Sequence, residues 1–163
     1  MIHKPRLFLK PTTDSDLDFV LKNEQLAAEA GYVALWTKKQ HEEALTRNET
    51  IHRIVTRLED GASVGYLIAN RDSNDNLELM RLVIAEKKKG YGRETIDLVK
   101  ELAFNTLKVN RLWLDVRVHN QYATAMYLDM GFVIEGTLRN CVKLTDQYMS
   151  IHVMSILKSE YLA

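Results

Sequence analysis

The run Leu82-Val83-Ile84-Ala85-Glu86-Lys87-Lys88-Lys89-Gly90-Tyr91-Gly92-Arg93 carries the residue types that bind a phosphate group. It reads as a strand passing through a basic, glycine-bearing loop into a helix. A helix start offers unpaired N–H groups and partial positive charge to an anion. Gly90 and Gly92 have no Cβ, so backbone there can approach an anion closely, while Lys87, Lys88, Lys89 and Arg93 add mobile charge. Two familiar phosphate loops are excluded by spacing. G-x-G-x-x-G needs a third glycine where Thr95 stands, and a Walker loop needs Gly-Lys-Ser/Thr where Gly92 precedes Arg93-Glu94. Taken alone, the lysines also suit a solvated run and the glycines a simple turn.

Four more residues could do chemistry, and each also has an ordinary structural role. Asn120 opens a helix, where it would serve as an N-cap worth about 1 kcal/mol. Tyr127, seven residues on, lies on the apolar face of that helix, a position that suits a core aromatic as well as a proton donor. Asp115 shares a strand face with Arg117, which suggests an ion pair. Glu78 sits on a half-buried strand with Met80, Leu82 and Ile84.

The elements that position these residues follow from pattern. Arg6 to Lys10 reads as a first strand between the chain's two prolines, Pro5 and Pro11. Thr13 with Asp16 and Thr37 with Gln40 are capping-box spacings, so they start two helices, the second ending near Arg47. Thr50–Leu58, Val64–Ala69 and Leu77–Ala85 then read as an antiparallel meander with turns at Gly61 and at residues 72–76. Ile96, Val99, Leu102, Ala103 and Leu107 recur at helical spacing. Arg111–Val118 alternates cleanly, so strand, helix and strand form a parallel crossover. A fourth helix carries Ala123, Met126, Tyr127 and Met130 and stops at Gly131; Phe132–Leu138 and Tyr148–Leu157 close the chain around a polar loop. The order is βααβββαβαββ.

With 163 residues, a hydrophobic fraction of 46% and no Gly-, Ser- or Pro-rich divider, residues 1–163 form a single domain. Lys plus Arg and Asp plus Glu each number 22, and this zero net charge argues against a nucleic-acid partner. The single cysteine, Cys141, excludes an intramolecular disulfide and a four-cysteine zinc site, sits in no nucleophile motif, and suits a reducing cytoplasm. The start is too short an apolar run for a signal peptide, and the sequence has no stretch of ~20 apolar residues to engage a membrane.

Together these residues resemble the GNAT superfamily of acyl-CoA-dependent N-acyltransferases. The family loop R/Q-x-x-G-x-G/A reads here Lys87-Lys88-Lys89-Gly90-Tyr91-Gly92, with Lys in place of the usual first residue. A second block runs through Leu112, Leu114, Asp115, Val116, Asn120, Ala123, Tyr127, Gly131-Phe132 and Glu135-Gly136. It is similar to the ribosomal-protein N-terminal acetyltransferase branch. The resemblance implies an α/β (α+β) fold, a single GNAT-like domain with a central mixed, mostly antiparallel sheet and splayed strands 4 and 5. It implies acetyl-CoA as co-substrate, its arm pairing with backbone at Leu82, Val83 and Ile84. Its pyrophosphate would be held from Lys87 to Arg93, and Asn120 would contact the arm. Tyr127 would be the general acid, Asp115 the base, and Glu78 the rival base. No metal is implied.

The resulting expectation is acetyl transfer to a primary amine through a ternary complex. The acceptor is a small molecule or a peptide N-terminal amine, shaped by residues 23–36 and 139–147, with Glu24, Glu29, Tyr32, Trp36, Asp146 and Tyr148 among them. The alternative is a catalytically silent acyl-CoA sensor. A homodimer is compatible with either.

Overall fold

Thr13 and Asp16 cap each other as their spacing suggests: the Thr13 N–H donates to Asp16 Oδ2 at 2.9 Å. In this computed structural model, which describes residues 4–163, that cap follows β1 (Leu7–Pro11) and leads through a 3-10 turn into α1 (Leu17–Glu29). Thr37 and Gln40 close the start of α2 (Lys38–Leu45) in the same way, the two N–H groups donating across at 2.8 and 3.2 Å. Residues 23–36, expected to shape the acceptor pocket, begin inside α1 and leave only residues 30–37 as the connection to α2. The helix holds through Glu29, because Asn23 and Glu24 are drawn inward and buried.

β2 (Thr50–Arg57), β3 (Ser63–Arg71) and β4 (Asn76–Ile84) form the antiparallel meander, with β1 paired to β2 on its outer side. α3 (Tyr91–Glu101) runs on through a π turn at Leu102–Thr106 and returns the chain to β5 (Arg111–Arg117), parallel to β4. α4 (Gln121–Asp129) leads to β6 (Val133–Leu144), β7 (Gln147–Leu157) and a terminal turn of helix, α5 (Lys158–Tyr161), that no sequence signal announced. The seven strands lie in the order β1-β2-β3-β4-β5-β7-β6.

Two details shape the middle of the sheet. β4 and β5 pair only at Asn76/Arg111, Leu77/Leu112 and Glu78/Trp113, and beyond those residues they splay apart. Opposite β3, the register skips between Ile68 and Ala69, leaving Met80 as an extra residue in β4. Such a bulge bends a strand and ends its regular pairing. At the far end of the same strand pair, a Cβ on Gly65 would lie 2.6 Å from the Val83 carbonyl oxygen, so only glycine lets β3 run this close.

The sheet is covered on both faces. Leu77, Leu79, Leu112, Leu114 and Met154 pack with Ile96, Val99 and Phe104 beneath α3 and α4, while Ile54, Tyr66, Ile68 and Val83 pack with Val20 beneath α1. The final hairpin departs from expectation. Arg139–Gln147, read as a loop, continues β6 to Leu144 after a register break between Leu138 and Val142, and Asn140 there takes φ 49°. No helix among the described residues is long and apolar enough to cross a membrane.

Candidate active site

The loop after β4 turns through two left-handed residues, Lys88 (φ 62°) and Gly90 (φ 77°), before α3 begins at Tyr91. Among the described residues, the backbone N–H groups from Lys87 to Arg93 find no acceptor. Seven consecutive amides with no partner among the described residues, at a helix start, form a concavity of the kind that suits an anion. The basic side chains divide around it. Lys89 pairs with Glu86 at 2.7 Å and Arg93 with Asp129 at 2.6 Å, both at the surface. Lys87 and Lys88 border the cleft, and partial burial pushes the Lys87 pKa down. Arg57 steadies the loop by donating to Glu86 at 2.9 Å.

The concavity opens into a cleft of about 610 Å³ between the splayed strands. Leu79 to Ile84 form one wall, Leu114 to Arg117 the other, and Met126 and Tyr127 of α4 close the end. Gly92 lies close under α4, where a Cβ would touch Met126 Sδ at 3.4 Å. Tyr127 is 8% exposed, with its ring centroid 5.6 Å from that of Phe132. Burial, reinforced by the Asp115 charge, pushes its pKa up to about 12, so the phenol is protonated at neutral pH. Asn120 caps α4 by accepting from the Ala123 N–H at 3.3 Å and also borders the cleft, so the cap and a ligand contact are compatible.

Asp115 faces the cleft. Desolvation raises its pKa and Arg117 opposes the rise. Glu78 lies on the paired part of β4 and does not border the cleft. Desolvation and the nearby Asp115 charge raise its pKa. Lys89 is likewise outside the cleft lining, held by Glu86, while Leu82, Val83, Ile84, Gly90, Tyr91, Gly92 and Arg93 all border it.

The far side of the cleft departs further from the sequence reading. Glu24, expected to shape an acceptor pocket, is fully buried. It accepts from the Trp36 N–H at 2.6 Å, Tyr66 Oη at 2.8 Å and an Arg81 η nitrogen at 2.7 Å. His41 Nε2 also lies 2.9 Å away, off the line a hydrogen bond requires. Burial alone would raise the Glu24 pKa, but His41, the Trp36 amide, Arg81 and Tyr66 hold it down at about 2. His41 Nδ1 continues to His52 Nε2 at 3.2 Å, and His52 Nδ1 to Thr12 Oγ1 at 2.8 Å. Trp36 covers Arg81 at 4.8 Å instead of lining the cleft. Tyr32 does line it, stacked 5.3 Å from His119, and so does Val142 of the final hairpin, while Asp146 and Tyr148 of that hairpin lie outside the lining and Glu29 is on the surface. Arg81 and the two histidines were missed by sequence reasoning, since they lie on three elements and meet only in the folded chain.

What such a slot can hold is a linear carrier with phosphate at one end and a reactive acyl group at the other, and the class of enzyme this defines is an acyltransferase. The chain belongs to the Acetyltransferase (GNAT) family, whose family model matches residues 19–132, and it is an N-acetyltransferase that takes acetyl-CoA as co-substrate. It is 26% identical to spermidine N(1)-acetyltransferase of Escherichia coli over 95% of this chain and 88% of that enzyme. With the Vibrio cholerae spermidine N(1)-acetyltransferase it shares 34% identity over 74 residues, spanning 45% of this chain and 43% of that enzyme. A crystal structure of the Vibrio cholerae spermidine N-acetyltransferase in complex with CoA and spermine superposes with a TM-score of 0.88, at 22% identity, covering 98% of this chain and 100% of that one. These relatives do not bear out the narrower resemblance to the ribosomal-protein N-terminal acetyltransferase branch.

Proposed function

We propose that the acetyl group passes directly to the primary amine of a small molecule, both substrates being bound at once. The observation that carries this reading is the row of unpartnered amides from Lys87 to Arg93 at the mouth of a slot between splayed strands. On it, the pyrophosphate of acetyl-CoA takes the amides of Lys87, Lys88, Lys89, Gly90, Tyr91, Gly92 and Arg93. Its arm lies along Leu82, Val83 and Ile84 past Asn120, and the acceptor enters from the opposite, α1–α2 side.

Acetyl-CoA supplies the activated acyl carbon; the chain's residues manage protons and charge. A primary amine with a pKa near ~10.4 costs about 4–5 kcal/mol to deprotonate at pH 7. Asp115 takes that proton, directly or through water, and desolvation, which raises its pKa, favours the uptake. Asp115 is preferred to Glu78 because it borders the cleft. As the amine forms the new C–N bond, a β4 backbone N–H along the unpaired stretch stabilises the oxyanion. Collapse breaks the C–S bond, Tyr127 gives its proton to the departing thiolate, and the second proton shed by the nitrogen returns to the Tyr127 phenolate, leaving one net proton on Asp115 for solvent. A small amine is favoured over a peptide terminus by the relatives' named substrates, spermidine and spermine. The test is thiol release from acetyl-CoA across a panel of small primary amines and short peptides, with calorimetric binding of acetyl-CoA beside it. Amine-dependent thiol release is expected. Tight binding with no release from any amine would instead make the protein a silent acyl-CoA sensor.

A further inference from the structure

The acceptor side of the cleft is lined by Tyr32 and Val33, by Met80 and Arg81 on β4, and by Asp115 and Arg117 on β5. Its two cations are incompletely satisfied. Arg117 forms no ion pair with a described residue, and its Nε–H is shut off from solvent without an acceptor. Arg81 is 6% exposed; an η nitrogen donates to Glu24 and the guanidinium covers Trp36, yet its Nε–H also lacks an acceptor. Buried donors without partners are uncommon, and two guanidinium groups on the two strands that flank one cleft leave its lining with positive charge that an anionic group would balance.

The acids run the other way. Glu24 is already committed to Arg81, Tyr66 and the Trp36 amide, and Glu86 belongs to the loop. Among the described residues, Asp115 is then the one carboxylate on the acceptor side of the cleft lining. A polycation placed there would meet two arginines and a single carboxylate.

We infer that the acceptor amine carries an anionic oxygen group a few bonds from its nitrogen, held by the Arg117 guanidinium across the cleft from Arg81, while Asp115 faces the amine. This rests on the proposed transfer to an amine and names the charge of its acceptor. Asp115 and Arg117 lie two residues apart on one strand face, about 6.6 Å along the strand, which matches a short amino acid. The guanidinium fork fits a carboxylate in two-point contact and fits a phosphate equally.

The experiment is steady-state thiol release at saturating acetyl-CoA with four acceptor sets: amino acids of graded amine-to-carboxylate spacing, their carboxamides, aminoalkyl phosphates, and spermidine. Free acids are expected to exceed their carboxamides in kcat/KM by at least about 10-fold. Arg117→Met should erase that ratio by raising KM for the acids, and Arg117→Lys should restore part of it. Acetyl-CoA binding by calorimetry serves as the check that each variant is folded. A phosphate preference with the same Arg117 dependence upholds the inference and assigns the oxyanion to phosphate. Equal rates on acids and carboxamides, a preference for spermidine, or an acid preference that survives Arg117→Met overturns it while leaving amine acetylation intact. Thiol release from no acceptor at all overturns the transferase reading first and this inference with it.

Discussion

Acidification from pH 7 to pH 5 should loosen the fold through His52. The ring is 3% exposed, and burial, followed by the adjacent His41, lowers its pKa to about 4 from 6.5. The unfolded chain therefore binds a proton in a window where the folded chain does not, and this contribution to stability is complete above about pH 6.5 and lost as the pH falls toward about 4. At pH 5 the unfolded histidine is ~1.5 units below its pKa while the folded ring is still mostly neutral, so about 2 kcal/mol is lost. Glu24 acts in a separate, lower window: its folded value of about 2 gives stability that is lost only below its unfolded 4.5. Urea unfolding of the wild type and His52→Gln at both pH values, followed by the fluorescence of Trp36 and Trp113, isolates the histidine. The wild type should lose about 2 kcal/mol more than the variant, a midpoint difference on the order of 1 M urea. Equal losses in the two proteins would refute the argument, since the proton uptake would then belong to other groups.

Tyr127→Phe should lower kcat by about 100-fold with acetyl-CoA affinity nearly unchanged; undiminished turnover in a stopped assay would return Tyr127 to packing against Phe132 alone. Gly92→Val crowds Met126, 3.4 Å from the added Cβ, and the amides beside it, so calorimetry should show acetyl-CoA bound about 10-fold more weakly. Unchanged affinity would move the anion site away from this loop. Gly65→Ala sets a methyl 2.6 Å from the Val83 carbonyl and should cost about 1–3 kcal/mol in denaturant unfolding. A neutral result would show that β3 and β4 separate without strain.

Much of this architecture is local, and local signals are what a sequence displays. Thr13/Asp16 and Thr37/Gln40 gave two helix starts because capping reads only residues three apart. The alternation over Arg111–Arg117 and the helical period after Gly92 gave the crossover that makes β4 and β5 parallel. β6 was cut short because its residues from Val133 to Cys141 are exposed on an edge strand, so no buried face imposes a period of two. The placement of Glu24 was misjudged for the opposite reason. Its partners come from residues 12 to 57 positions away, and nothing in a helical stretch of Asn, Glu and Gln distinguishes the acid that will be buried. The cleft lining was largely legible, since Leu82 to Ile84, the glycine loop, Asp115, Asn120 and Tyr127 all reach it, whereas Glu78 is separated from it by the pairing that precedes the splay.

The extra residue at Met80 hides in plain view. Leu77, Leu79, Arg81 and Val83 are all buried, so β4 shows an unbroken period of two, yet Leu77 and Leu79 belong to the layer under α3 and α4 while Val83 lies in the layer under α1. The strand changes phase without changing its pattern. The layer each side chain joins is therefore set by the strand's length as much as by its pattern. Removing one residue at Met80 would restore continuous register with β3, leave Arg81 opposite Ile68, and remove the bend that carries β4 away from β5. In this fold the room for a substrate is written as a count of residues, and a one-codon deletion would close it while every other residue lining the cleft remained in the chain.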